Sequence, residues 1–191
     1  MAKGKLIILS GPSGVGKGTV RASLFEDESL NLAYSISMTT RLPRVGERDG
    51  IDYFFVSQEE FQRKIDEDGF LEYAQFVGNC YGTPKDYVDQ LLNDGKNVVL
   101  EIEVQGALQV MKKCPEALTI FLVPPSMDEL EKRIRGRRTE EEDIVRQRLD
   151  KAKREIATQN EYKYVVCNDD VEEAKNKIAE IIKMNANVLT K

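Results

Sequence analysis

Lys17 closes the run Gly11-Pro12-Ser13-Gly14-Val15-Gly16-Lys17, and glycines at that spacing before one lysine form the pattern of a loop that wraps phosphate groups. Gly11, Gly14 and Gly16 let the backbone take positive φ and turn its N–H groups inward, so a triphosphate meets oriented dipoles at a helix N-terminus. Lys17 adds a mobile point charge for the β- and γ-phosphate oxygens. The pattern ordinarily continues with Ser or Thr as a Mg²⁺ ligand, but here Gly18 follows and the hydroxyl comes one place later, at Thr19. The sequence therefore predicts that no loop side chain ligates the metal and that phosphates and waters hold it. The chain has no histidine, which excludes Ser-His and Cys-His nucleophile pairs and His-ligated zinc. Carboxylates, lysine and arginine are left to do the chemistry.

The elements that must position these groups alternate between short apolar runs and amphipathic helical stretches, the signature of an α/β fold with a mainly parallel sheet. Four buried strands are expected, at 6–9, 98–102, 119–123 and 164–167. A helix runs from about Gly16 to Leu24 and Phe25, and four more follow caps with an acid three residues on: Ser57 with Glu60, Ser126 with Glu129, Thr139 with Glu142, and Asp170 with Glu173. The last is expected to reach about Leu189. Residues 34–83 differ: Thr, Ser, Tyr and Phe alternate with polar residues around Arg48-Asp49-Gly50 and Gly78-Asn79. This predicts an inserted, mostly antiparallel β patch with one helix, a natural seat for a second substrate beside the loop.

Composition sets the bounds. With 191 residues, 41% of them hydrophobic, the chain suits one domain with insertions, and its longest apolar runs have only strand length. It reads as a soluble intracellular protein with no membrane partner. A net charge of −5 argues against a general nucleic-acid binder unless positive charge is focused locally. Cys80, Cys114 and Cys167 show no C-x-x-C spacing, which fits a reducing compartment and incidental thiols.

From Ser35 the chain reads SISMTTRLPRVGERDGIDYFFVS, from Phe70 FLEYAQFVGNCYGTP, from Val98 VVLEIEVQGA and from Gly136 GRRTEEEDIVRQRL. With GPSGVGKGT, these motifs resemble guanylate kinase along nearly the whole chain, in order. The resemblance implies a cytoplasmic, magnesium-dependent enzyme, a monomer or homodimer that passes the γ-phosphoryl of ATP to GMP. It implies a three-layer phosphate-loop core (1–33, 84–126 and 155–191), an inserted GMP-binding region (34–83) and a helical lid (127–154). ATP would contact Gly11, Pro12, Ser13, Gly14, Val15, Gly16, Lys17, Gly18 and Thr19. Arg41 and Arg44, with the hydroxyls of Tyr53 and Tyr81, would clamp the GMP phosphate. Glu72 would face the adjacent N1–H and 2-amino donors of guanine, which adenine lacks, with Ser37 and Thr83 as hydroxyl contacts.

Glu101 and Glu103 end an apolar strand on one side of it, which suits a carboxylate orienting Mg²⁺-bound water or the acceptor. Asp is common in the family at the second position, so Glu103 is a departure. The dense mixed charge of 128–154 describes an exposed, self-paired helix pair. Within it Arg133, Arg137 and Arg148 match lid arginines over ATP, with Gly136 as a possible hinge. Lys17, Arg41, Arg137 and Arg148 would supply the charge that phosphoryl transfer needs. Asn168-Asp169-Asp170 follows the last strand, where the resemblance places the adenine contact, for which Asn168 has the paired donor and acceptor; the same three residues read equally as a cap for the last helix.

Three rivals stand beside this reading. Another nucleoside monophosphate kinase is the first, since GKGT also resembles the adenylate kinase loop, but Glu72 with TTRLPR weighs against it. Guanylate-kinase-like scaffolds bind proteins without catalysis, yet typically lose the loop or the arginines that this chain keeps. A GTPase switch would need N-K-x-D, which is missing, and the D-x-x-G at 66–69 is expected inside a helix.

Overall fold

The computed structural model describes residues 2–136 and 142–186. In chain order the first elements are β1 (Leu6–Ser10), α1 (Lys17–Leu24), β2 (Leu32–Tyr34), β3 (Met38–Thr39), β4 (Phe54–Phe55), α2 (Gln58–Asp66), β5 (Phe70–Phe76), β6 (Asn79–Pro84) and α3 (Lys85–Asn93). There follow β7 (Asn97–Glu101), α4 (Val104–Lys113), β8 (Leu118–Val123), α5 (Met127–Arg135), α6 (Glu142–Ile156), β9 (Tyr164–Cys167) and α7 (Val171–Asn185).

Strand β1 lies at the centre of a parallel sheet of order β2-β7-β1-β8-β9. Every residue of β1 is buried, and its alternation divides the core into two layers. Ile7 and Leu9 pack with Val20, Leu24, Ile178 and Ile182 of α1 and α7. Leu6 and Ile8 face the other way, onto Val88 of α3 and Val104, Ala107 and Val110 of α4. The result is helix, sheet, helix, with the chain leaving β1 between two strands reached in opposite directions. Crevices for ligands form at the carboxyl ends of strands at such a switch point.

The sheet has a fifth strand, β2, beyond the four expected. Leu32, Ala33 and Tyr34 pair with Asn97, Val98 and Val99. Two helices, α3 and α4, were likewise not anticipated. Neither carries a side-chain hydrogen bond at its N-cap, so neither announces itself by a Ser, Thr or Asp signal. The expected caps do form: Ser57 and Glu60 make a reciprocal capping box, while Ser126 and Asp170 each accept the amide three residues on. Thr139 lies outside the described residues, as does the expected extension of the last helix to Leu189. The D-x-x-G run starts on the last residue of α2 and continues into a turn, with Asp68 at φ 48°, so it is not inside a helix.

The insert forms a second sheet of order β4-β3-β6-β5. Its β3–β6 and β5–β6 pairs are antiparallel, and the two-residue β3–β4 pair is parallel. Helix α4 lies along β5, so the end of β7 is carried directly to the second sheet.

Candidate functional site

The chain leaves β1 through Gly11 at φ 147°, Gly14 at 89° and Gly16 at 99°. Space as well as conformation demands glycine: a Cβ on Gly11 would lie 2.5 Å from the Leu122 carbonyl oxygen, and one on Gly16 2.6 Å from Asn168 Nδ2. Gly16 is the N-cap of α1 and Lys17 its first residue, which puts the lysine where the helix dipole favours anions. Lys17 Nζ donates to the carbonyls of Gly11 at 2.7 Å and Pro12 at 3.2 Å. Burial lowers its pKa, while Glu101, Glu155 and Glu103 act in the opposite direction.

A cavity of about 510 Å³ opens on one side of the loop, lined by Lys17, Gly18, Thr19, Glu101, Glu103 and Glu155 among others. The two strand-end acids are not equivalent. Glu101, still on β7, accepts from Arg21 Nε at 2.6 Å, and Arg21 lies over the Tyr34 ring. Glu103 lies past the strand, at the N-cap position of α4, and pairs with Lys151 at 2.8 Å. Helix α6 supplies that lysine together with Arg148, whose guanidinium donates to Ser13 Oγ at 3.0 Å, and Glu155, which lies on the same face. Glu155 is 9% exposed. Its pKa is raised by burial, and Lys151 opposes this.

On the other side of the loop a second cavity, of about 430 Å³, is lined by Gly14, Val15, Thr19, Arg133, Gly136, Asn168 and Asp169 among others. Of Asn168-Asp169-Asp170, it is Asp170 that caps α7. Asn168 Nδ2 donates to the Val15 carbonyl at 2.7 Å, tying β9 to the loop, and Arg133 donates to the Asn168 carbonyl at 2.8 Å. Asn168 Oδ1 is buried with no partner among the described residues, and a buried acceptor left open is costly unless something arrives to fill it. Arg137 lies outside the described residues.

The second sheet gathers the other candidates. Arg41 lies 5.4 Å over the Tyr53 ring, whose centroid is 6.2 Å from that of Tyr81. Arg44 is exposed on the same loop. Glu47 organises this loop, accepting from the Arg41 guanidinium at 2.9 Å and the Arg44 amide at 2.7 Å. Glu72 of β5 and Thr83 of β6 are both buried, and Thr83 Oγ1 donates to Glu72 Oε1 at 2.6 Å. Burial raises the Glu72 pKa, and the Thr83 hydrogen bond opposes that. Ser37 precedes β3, next to β6 in the sheet.

Four residues of this constellation escape a reading of the sequence. Arg21, Glu47, Lys151 and Glu155 look like ordinary helix or loop charges until the fold pairs them, in one case across a sequence separation of 80. The sequence carries a signal for two of them: Lys151 and Glu155 recur with Arg148 at the spacing of one helical face.

A parallel sheet with a glycine-rich loop between its central strand and a helix packed on the sheet through Val20 and Leu24, opening on cavities that hold lysine, arginine and carboxylates, defines a phosphate-loop nucleotide-binding protein. Residues 3–185 match the guanylate kinase family, and the chain belongs to it. It is 58% identical over 180 residues to a guanylate kinase of Bacillus cereus, covering 94% of this chain and 88% of that one. It is 57% identical to a guanylate kinase of Mycoplasma mycoides over 95% of its own length, and spans 61% of that longer protein. A crystal structure of guanylate kinase from Anaplasma phagocytophilum superposes with a TM-score of 0.73 at 36% identity, covering 96% of this chain and 86% of that one. No helix among the described residues is long and apolar enough to cross a membrane.

Proposed function

We propose that this protein transfers the γ-phosphoryl group of ATP to GMP, giving ADP and GDP, in the cytoplasm. The observation that carries this reading is the buried Glu72–Thr83 pair of the second sheet, since a buried carboxylate suits the two adjacent donors of guanine. ATP lies with its phosphates on residues 11–19, Lys17 among them, and its base in the cavity of Arg133 and Asn168, where Asn168 Oδ1 accepts from the adenine amino group. GMP lies on region 34–83. Its phosphate takes Arg41 away from Glu47 and adds Arg44, Tyr53 and Tyr81, while Glu72, Thr83 and Ser37 hold guanine. A GMP phosphate oxygen bonds to the γ-phosphorus as the bridging β–γ oxygen leaves with ADP.

Lys17, Arg41, Arg137 and Arg148 balance the charge of the transferring group. Helices α5 and α6, with Gly136 as the hinge, close over the site and keep water from taking the phosphoryl group. The chain's residues fit Mg²⁺ held mainly by phosphates and water: position 18 has no side chain, and Glu101 Oε1 lies 3.6 Å from where its Cβ would be. Glu101 and Glu103, near the acceptor, are the acids available to its water shell. When bound with ATP, the ion neutralises charge on the β- and γ-phosphates.

The test is ADP formation by the purified protein with Mg²⁺ and ATP, offering GMP, dGMP, AMP, CMP and UMP separately. Turnover with GMP is expected, and turnover with AMP or a pyrimidine alone would overturn the base assignment. A pH effect follows from Glu72. Guanine's two donors need the carboxylate ionised, and burial places its titration above the ordinary value of 4.5. KM for GMP should therefore rise as the pH is lowered through that raised value, and binding should release a proton there. The GMP phosphate also titrates in mild acid, so Glu72→Gln serves as the reference. Identical profiles for the two proteins would exclude the effect.

A further inference from the structure

Gly106 is the third residue of α4, and its φ does not lie in the left-handed region. Backbone conformation therefore does not ask for glycine, and alanine is the better helix former. Space does ask for it: a Cβ at position 106 would lie 2.9 Å from Glu72 Oε2, 3.2 Å from Cδ and 3.3 Å from Cγ. One turn on, Gln109 bonds both ways to the Tyr73 backbone, Oε1 accepting from N–H and Nε2 donating to the carbonyl, each at 3.4 Å. A turn further, Lys113 Nζ donates to the Phe70 carbonyl at 2.8 Å. Helix α4 thus clamps the backbone of β5 on both sides of Glu72 while leaving its carboxylate the room of one missing methyl group.

Resting on the guanylate reading above, we propose that Gly106 is a specificity-determining position: its bare α-carbon sets how far the Glu72 carboxylate stands from guanine, and so how strictly the site demands that base. With β5 clamped, an added methyl displaces the Glu72 side chain and not the strand. The carboxylate is caught between residue 106 and Thr83 Oγ1 at 2.6 Å, so any swing away from the helix disturbs the hydroxyl pairing as well. Gly106 acts through Glu72 and is a positioning residue.

Gly106→Ala should lower kcat/KM for GMP by about tenfold or more, the scale of a displaced binding group. It should lower by a similar factor the preference for GMP over IMP, which keeps N1–H and O6 but lacks the 2-amino group. KM for ATP should stay within about twofold, since nothing near the loop moves. In a Glu72→Ala background, where no carboxylate remains to be displaced, the same substitution should add nothing. A Gly106→Ala protein with wild-type GMP-over-IMP preference, or equal losses in both backgrounds, would overturn the proposal. Should Gly106→Ala not fold, Glu72→Asp combined with it decides: the shorter acid clears the methyl and restores folding, and a pair that folds no better also overturns the proposal. A wild type that phosphorylates no GMP would overturn the functional reading and this inference together. A GMP-active wild type insensitive at position 106 overturns the inference alone.

Discussion

Glu72→Ala is expected to lower kcat/KM for GMP by about 10³–10⁴-fold and to erase most of the preference over AMP, because a site built to pair with buried donors rejects what cannot pair. Two losses combine. The two guanine donors enter a buried place with no acceptor, and Thr83 Oγ1, now 2.6 Å from the carboxylate, loses its partner as well. Adenine presents a lone pair at N1, which the wild-type carboxylate repels, and the alanine variant no longer does. Selectivity should therefore fall through both a weaker GMP and a less disfavoured AMP. KM for ATP should be unchanged, because the Asn168 cavity and the loop lie on the other sheet. Steady-state kinetics with both acceptors decides it: a variant that keeps wild-type preference for GMP over AMP would remove Glu72 from base recognition. The folded protein should tolerate the change, since burial already works against the ionised acid and its loss relieves that cost.

The parts of the site legible in the sequence are those whose physics is local. A glycine-rich loop needs positive φ at positions a few residues apart, so Gly11, Gly14 and Gly16 could be read in place, and the structure gives all three positive φ. Caps are equally local, and Ser57, Ser126 and Asp170 make theirs. What was not legible depends on elements far apart in sequence. Strand β2 has three residues and is only partly buried, too short for any alternation to show. Helix α3 starts from Pro84, with its first amide taken by the Gly69 carbonyl, so its start is fixed by a turn 16 residues earlier and not by a cap. The acids of the LEIE run looked like a matched pair on one strand face, but β7 stops at Glu101. Only one of them stays in the sheet, and Arg21 and Lys151 then draw them to different partners.

Lys17 poses a different balance, between activity and stability. Lys17→Met should reduce kcat by about 10²–10³-fold, the scale for removing one preorganised group that meets developing charge, while leaving the fold at least as stable near neutral pH. The reason is in its surroundings. The ammonium is desolvated enough for burial to lower its pKa below the ordinary 10.5, so between the lowered value and 10.5 the unfolded chain binds more protons than the folded one. Stability then rises with pH across that window and is lost as pH falls through the folded value. Below that window the buried charge is a cost only partly offset by Glu101, Glu155, Glu103 and the loop carbonyls it bonds. A methionine of similar length removes the cost and fills the space. Thermal melts should therefore show an unchanged or higher midpoint for the variant without ligand. The rise in midpoint that saturating ATP gives the wild type should shrink, because less binding energy is available to the folded state. A variant that keeps activity within about tenfold of wild type would mean that the helix N-terminus and Arg148 carry the phosphates without Lys17. A variant that unfolds would mean that the bonds to Gly11 and Pro12 hold the loop together, and that the lysine is part of the fold before it is part of the chemistry.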